Sequence, residues 1–194
     1  MNFFKKIFNI PVKEDADIQK QEVNLSLDDL FVHNFVDKGG KFLYCVDDNE
    51  VINNLKKVIV ENNWKEIHLL DRRLSLLFKK NDIKIVDSFN ENTSIFTSCE
   101  HLIADKGDIL FSSNQLGSNK LKDFPDNFIV FATTSQLVKD TGQGLTGIKT
   151  NSKNSLPTNI SSIKNYNINK SDDNFLNYGN NNSKNLYLLL LEDL

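Results

Sequence analysis

Three polar stretches of this chain hold residue types that could do chemistry, and each sits at the end of an apolar run. The first is Cys99-Glu100-His101, which closes the run that starts at Ser94. A carboxylate beside an imidazole is adequate for general acid–base work. A strand end is also where a side chain can point into a cleft at a sheet edge. Glu100 is therefore the candidate catalytic residue, against the plainer reading of a surface Glu and a His that starts the next element. The second stretch, Ser112 to Asn119, directly follows the apolar strand Asp108 to Phe111. Its side-chain donors, and a glycine that permits a nest of backbone amides, can cradle a phosphate or carboxylate. Ser112, Ser113, Asn114, Gln115 and Gly117 are candidate ligand-binding residues; the competing reading is a hairpin-like turn built from turn-forming residues. The third, Thr133-Thr134-Ser135, lies between a strand and an expected helix. Its hydroxyls can cap that helix, and the free amides can face an anion. Thr133 and Thr134 join the candidates, with simple capping as the alternative.

Other constellations read as structure. Gly142-Gln143-Gly144-Leu145-Thr146-Gly147 spells GxGxxG, but a dinucleotide loop needs its first glycine in the turn right after a strand. Here the preceding strand ends near Ala132, so the glycines fall inside or at the end of a helix. His33 and His68 have no second His or Cys at ligand spacing, so no metal site is expected. Cys45 and Cys99 are too few for a disulfide framework or a four-thiolate cluster and read as small buried hydrophobes of a reducing compartment. No GxSxG elbow, P-loop or HExxH occurs. No cofactor is expected.

The elements that must position these residues alternate. Ser26 caps a helix whose stripe is Leu27, Leu30, Phe31, Asn34 and Phe35, stopped by Gly39-Gly40. Strands at Lys41–Val46, Ile67–Leu70, Ile83–Val86 and Ser94–Cys99 alternate with helices at Asp47–Glu61 and Asp71–Lys79. Such spacing calls for right-handed crossovers in a largely parallel sheet. A turn signal inside Ala104–Phe111 predicts an antiparallel excursion beside one continuous sheet. Asn127–Ala132 is a buried strand, a helix is expected from about Gln136 to Lys149, Pro157–Ile163 is extended, and Asn185–Leu191 closes the sheet.

The 194 residues suit one domain: an arm over 1–24, then a domain over 25–194. Asn-rich residues 164–184 form an expected flexible surface excursion within it. The N-terminal Phe3-Phe4-Lys5-Lys6-Ile7-Phe8 carries its lysines inside the apolar stretch and makes a poor signal peptide. A docked or frayed end is favoured there over a membrane-surface helix. With 23 Lys and Arg interspersed among 26 Asp and Glu, no basic field exists for nucleic acid. No apolar run is long enough to span a membrane. A cytoplasmic protein is expected.

The run Phe96 to Ser113 resembles the LUD-domain (lactate utilisation) segment in which an IA-[DE]-[TS]-G-[ST]-[LIV] stretch precedes an apolar strand and small polar residues. Leu121 to Ser135 resembles the family's LP…H-[IV]-V-V strand, Leu156 to Ile163 its PSNI-x-x-I strand, and Leu186 to Asp193 its terminal LYVLLLD strand. Phe3 to Phe8 and Gly39 to Cys45 are similar to the short LUD proteins with an FF-[RK]-[RK]-IF arm and GGKFLYC. Two departures stand out. Lys106 occupies the place of a Thr or Ser, and the Asn-rich segment from Lys164 replaces a GPS-x-TADIE stretch.

The resemblance implies an α/β fold of the ribose-5-phosphate isomerase/CoA-transferase-like type: a single domain with a mostly parallel sheet flanked by helices. It also implies a link to lactate utilisation, where a cluster-free LUD subunit accompanies iron–sulfur subunits that oxidise L-lactate. The first expectation is an accessory or regulatory subunit that binds a small anionic ligand near Glu100 and Ser112 to Gly117. The second is an enzyme on a sugar-phosphate or CoA-thioester-like substrate with Glu100 as base or nucleophile. The third is a non-catalytic scaffold. Sequence leaves the oligomeric state open.

Overall fold

The computed structural model describes residues 25–78, 83–152, 156–168 and 182–193. The expected arm over 1–24 and the middle of the expected excursion, 169–181, lie outside them.

Side-chain caps start the first helices. Ser26 Oγ accepts the Asp29 amide at the head of α1 (Leu27–Asp37). Asp47 Oδ1 accepts the Glu50 amide while Glu50 reaches back to the Val46 amide, ahead of α2 (Asp48–Glu61). Between them runs β1 (Lys41–Cys45). Then follow β2 (Glu66–Leu69), β3 (Lys84–Val86) and β4 (Ser94–Ser98). The segment after β2, expected as an α-helix over Asp71–Lys79, is a tighter 3-10 helix over Arg72–Phe78 that buries Leu74 and Phe78. Asp71 sets its start by holding the Arg73 amide.

With β7 (Asn127–Thr133) and β10 (Asn185–Leu191), these strands form a six-stranded, wholly parallel sheet in the order β1-β10-β7-β4-β2-β3. Rather than closing an edge, the last strand slots between β1 and β7. Its apolar run suits an interior strand buried on both faces: Leu186, Leu188 and Leu190 face one core, Tyr187 and Leu189 the other. One face packs on α2 through Val51, Leu55, Val58 and Ile59.

The opposite face packs on Phe31 and Phe35 of α1 and on a second sheet. That sheet corrects the expectation of a single continuous one. β5 (His101–Ile103) and β6 (Asp108–Phe111) form the antiparallel pair the turn signal predicts. They join β8 (Leu137–Val138) and β9 (Ser161–Ile163) as a separate four-stranded sheet, β8-β5-β6-β9. Gly107, in the turn between β5 and β6, has φ +62° and lies against the α1 backbone; a Cβ there would stand 2.4 Å from Phe35 N.

The helix expected from Gln136 to Lys149 starts later. Thr134–Gln136 is one 3-10 turn, β8 follows, and α4 spans Thr141–Asn151 with Asp140 as its cap. The glycines of the GxGxxG string therefore lie within α4, as the residues imply. Gly144 lets the helix settle on the second sheet, since a Cβ there would meet Ile103 at 3.1 Å. The stretch after Phe111 is also not a plain turn. Ser112 caps the single helical turn α3 (Ser113–Leu116).

The described ends of the Asn-rich span are packed. Tyr166 is buried and its hydroxyl donates to the Gly107 carbonyl at 2.6 Å. Lys184 is buried too, with its ammonium on the Phe124 carbonyl at 2.7 Å.

Candidate functional site

Parallel strands bring their carboxyl ends to one edge of the sheet, where ligands bind in open α/β folds. Four neighbouring strands place polar residues there: Asp71 just past β2, Ser98 and Glu100 at and past β4, Thr133–Gln136 at and past the end of β7, and Asp193 past β10.

Glu100 lies in the bend where the chain leaves β4 for the second sheet, its amide held by the Leu110 carbonyl at 2.8 Å. The side chain is half-buried. Its Oε1 accepts from Ser112 Oγ at 2.5 Å, from Asn114 Nδ2 at 2.8 Å and from Gln115 Nε2 at 3.2 Å. The same loop is braced internally. Ser112 N donates to Gln115 Oε1 at 3.0 Å, and Asn114 N donates to Ser112 Oγ at 3.0 Å. The loop thus holds a carboxylate of the chain itself, where a ligand phosphate or carboxylate was expected. Oε2 takes none of these bonds, which leaves one oxygen of a positioned carboxylate for another group.

Two of the loop's candidates fall outside this arrangement. Ser113 exchanges bonds with Thr158, through its amide to the Thr158 carbonyl and from the Thr158 amide to its Oγ. Gly117 ends α3 with φ +60°, and a Cβ there would meet nothing within 4 Å.

Thr133 and Thr134 belong to a second cluster. Asp193 accepts from Thr134 Oγ1 at 2.8 Å, from the Ser135 amide at 2.8 Å and from Ser135 Oγ at 2.7 Å. Thr133 Oγ1 lies 2.9 Å from Ser135 Oγ. Of the amides expected to face an anion, that of Ser135 faces a carboxylate of the chain. Desolvation pushes the Asp193 carboxyl up, but the bonds from Ser135, Thr134 and Thr133 outweigh it and bring the group to about 2.

Gln136 ties the clusters together. Its Oε1 accepts the Thr133 amide at 2.9 Å, and its Nε2 donates to the carbonyls of Cys99 at 2.6 Å and Glu100 at 3.2 Å. His101 Nδ1 faces the Gln136 carbonyl at 3.3 Å, so the imidazole beside Glu100 is engaged elsewhere.

The third cluster is one that sequence reading missed. Asp71, 6% exposed, accepts from Arg73 Nε and Nη2 and from Ser98 Oγ at 2.5 Å. Burial pushes its carboxyl up, yet the Arg73 and Ser98 bonds and the Arg73 charge hold it below the ordinary carboxylate range. Arg73 is pushed up by Asp71 and, more weakly, by Glu100. Its side chain is 77% exposed, so a buried acid presents a guanidinium to solvent.

Two sequence signals could have located part of this. Ser112-x-x-Gln115 and Thr133-x-x-Gln136 both have capping-box spacing, which marks a braced turn after a strand. Nothing local announces Asp71 or Asp193. Cys99 and Cys45 are buried free thiols, as expected, and burial raises both. No group of three metal-ligating side chains occurs among the described residues, and no helix among them is long and apolar enough to cross a membrane.

Comparison with known proteins agrees with this architecture. The LUD-domain family model matches residues 29–191, and the chain belongs to the LUD-domain family. A solved structure of a DUF162-family protein from Deinococcus radiodurans superposes with a TM-score of 0.61 at 11% identity. The match covers 87% of this chain and 99% of that one, a likeness of fold. No curated protein sequence matches the chain.

Proposed function

We propose that this LUD-domain protein serves lactate utilisation in the cytoplasm as an accessory or regulatory subunit that binds a small anionic ligand. The proposed site is the carboxyl-end edge around Glu100 and Arg73. One arrangement supports the reading: a buried Asp71 past β2 holds an exposed Arg73, and the fixed Glu100 carboxylate lies past the neighbouring strand β4. Asp71 takes the Nε–Nη2 edge of the guanidinium, and the remaining Nη edge is suited to a ligand carboxylate. Glu100 Oε2 can accept a ligand hydroxyl, and Ser112, Asn114 and Gln115 serve by holding Oε1. Ser113, Gly117, Thr133 and Thr134 act on this reading as supports of the loops around the ligand.

The partner class follows from the family resemblance: iron–sulfur subunits of a lactate-oxidising complex. Affinity isolation of the tagged chain from native lysate tests it. Co-purification of subunits bearing iron–sulfur absorbance near the chain's own amount is the expected result. Recovery of the chain alone, from cells oxidising L-lactate, contradicts it.

A second reading draws on the same Glu100. A carboxylate with one oxygen fixed by three donors and the other free is arranged for a base or nucleophile on a sugar-phosphate or CoA-thioester-like substrate. Glu100→Gln separates the two: an enzyme loses its turnover, while a binding subunit keeps its partners. A scaffold with no ligand at all predicts no stabilisation by anions in a thermal-shift series.

A further inference from the structure

The second sheet carries a hollow on the side away from the main core. Strand alternation turns Leu102, Ile109 and Ile163 into the core and leaves Ile103, Leu110 and Ser162 on the other face. α4 covers part of that face through Ile148, with Gly144 against Ile103 and Leu110. Beside the first residue of α4 a hollow of about 190 Å³ opens on this face. Ile103 and Leu110 line it together with Lys106, Asp108, Thr141, Ser162 and Lys164.

Its charges do not cancel. Asp108 is buried and already paired with Lys38 at 2.8 Å, and Lys38 also donates to the Lys106 carbonyl. Asp140, beside Thr141, is engaged as the cap of α4, accepting the Gln143 amide at 2.9 Å. Lys106 and Lys164 have no ion pair or hydrogen bond from their ammonium groups among the described residues, nor do the hydroxyls of Thr141 and Ser162 have partners there. Among the described residues, two cations and two hydroxyls without other partners therefore line one apolar-floored hollow beside the Asp140-capped start of α4. That donor set matches a dianion. A hollow of about 190 Å³ is below the roughly 300–1,000 Å³ of drug-sized ligand pockets, which suits a phosphate on a short chain and not a nucleotide.

We infer that this hollow is a binding site for a small phosphate-bearing metabolite, with Lys106 and Lys164 as its charge ligands and Thr141 and Ser162 as hydroxyl donors. It is distinct from the proposed Glu100–Arg73 site and does not depend on it. Both lysines are exposed, so removing either leaves the fold intact.

Calorimetric titration of the full chain with glycerol 3-phosphate at fixed ionic strength tests the site, with glycerol as the uncharged control. Saturable binding is expected, weakened about tenfold or more by Lys106→Ala and by Lys164→Ala, since each removes one charge-assisted bond. Lys149→Ala, which removes an exposed cation of α4 outside the hollow, and Glu100→Gln are expected to leave the affinity unchanged. No saturable heat up to about 20 mM ligand overturns the inference. So does an affinity that Lys106→Ala and Lys164→Ala do not change, or equal binding of glycerol.

Discussion

Asn114 and Glu100, fourteen residues apart in sequence, meet through a 2.8 Å hydrogen bond from the amide of one to the carboxylate of the other. The antiparallel return of β5 and β6 makes this possible, folding the loop after β6 back over the end of β4. The contact converts a polar loop into a bracket for one carboxylate oxygen, and it is the centre of the site described above.

Removing that acceptor leaves three donors facing an empty position. Glu100→Ala is expected to cost about 1–3 kcal/mol, toward the low end because water can reach a half-buried group. Glu100→Gln retains an acceptor oxygen and should cost less. Urea unfolding of the two variants measures the difference. Midpoints equal to the parent's in both variants would mean that the bracket contributes nothing to stability.

Asp193 should titrate far below an ordinary Asp. Its folded value of about 2 lies under the usual 3.8, so its contribution to stability is complete above 3.8 and fades as pH falls toward 2. Carbon-detected NMR of the side-chain carboxyl reads the midpoint directly. A midpoint near 3.8 would show that the Thr134 and Ser135 bonds do not hold the carboxylate in solution.

The same sign applies to Asp71, held below its ordinary 3.8 by Arg73 and Ser98 against the opposing effect of burial. Asp71→Asn should lower stability at neutral pH and flatten the loss of stability on acidification below about 4. Denaturant midpoints measured from pH 7 to pH 3 test this. If the variant and the parent lose stability in parallel, the buried acid is not the source.

Gly107→Ala tests the seam between α1 and the second sheet. The φ of +62° and the 2.4 Å approach of a Cβ to Phe35 N both oppose a side chain. A loss of at least about 1–3 kcal/mol is expected from the backbone strain alone, seen as a lowered melting temperature. An unchanged melting temperature would mean that α1 shifts freely, contrary to the packing of Phe35 on Tyr166 at 4.4 Å.

Much of the frame was legible because apolar runs bounded by polar turns are strong local signals. β1, β4, β7 and β10 lie where those runs lie, and Ser26 and Asp47 start their helices. The failures share a cause. Ser135-Gln136-Leu137-Val138 looks helical in isolation, but Asp193 and Gln136 stop it after one turn, and Leu137-Val138 pairs with β5 instead. Glu100 and its loop could be guessed to meet, since one hairpin separates them. The Asp71–Ser98 and Thr134–Asp193 contacts depend on which strands are neighbours in the sheet, and no local pattern encodes that order.

The most direct test of the proposed site is an amide NMR titration of the full chain with L-lactate as probe. The account predicts saturable shifts at Arg73, at Ser98 to His101 and at Ser112 to Gln115, all lost in Arg73→Ala. Shifts confined to other surfaces, or none at saturating probe, would contradict a small-anion site at Glu100 and Arg73.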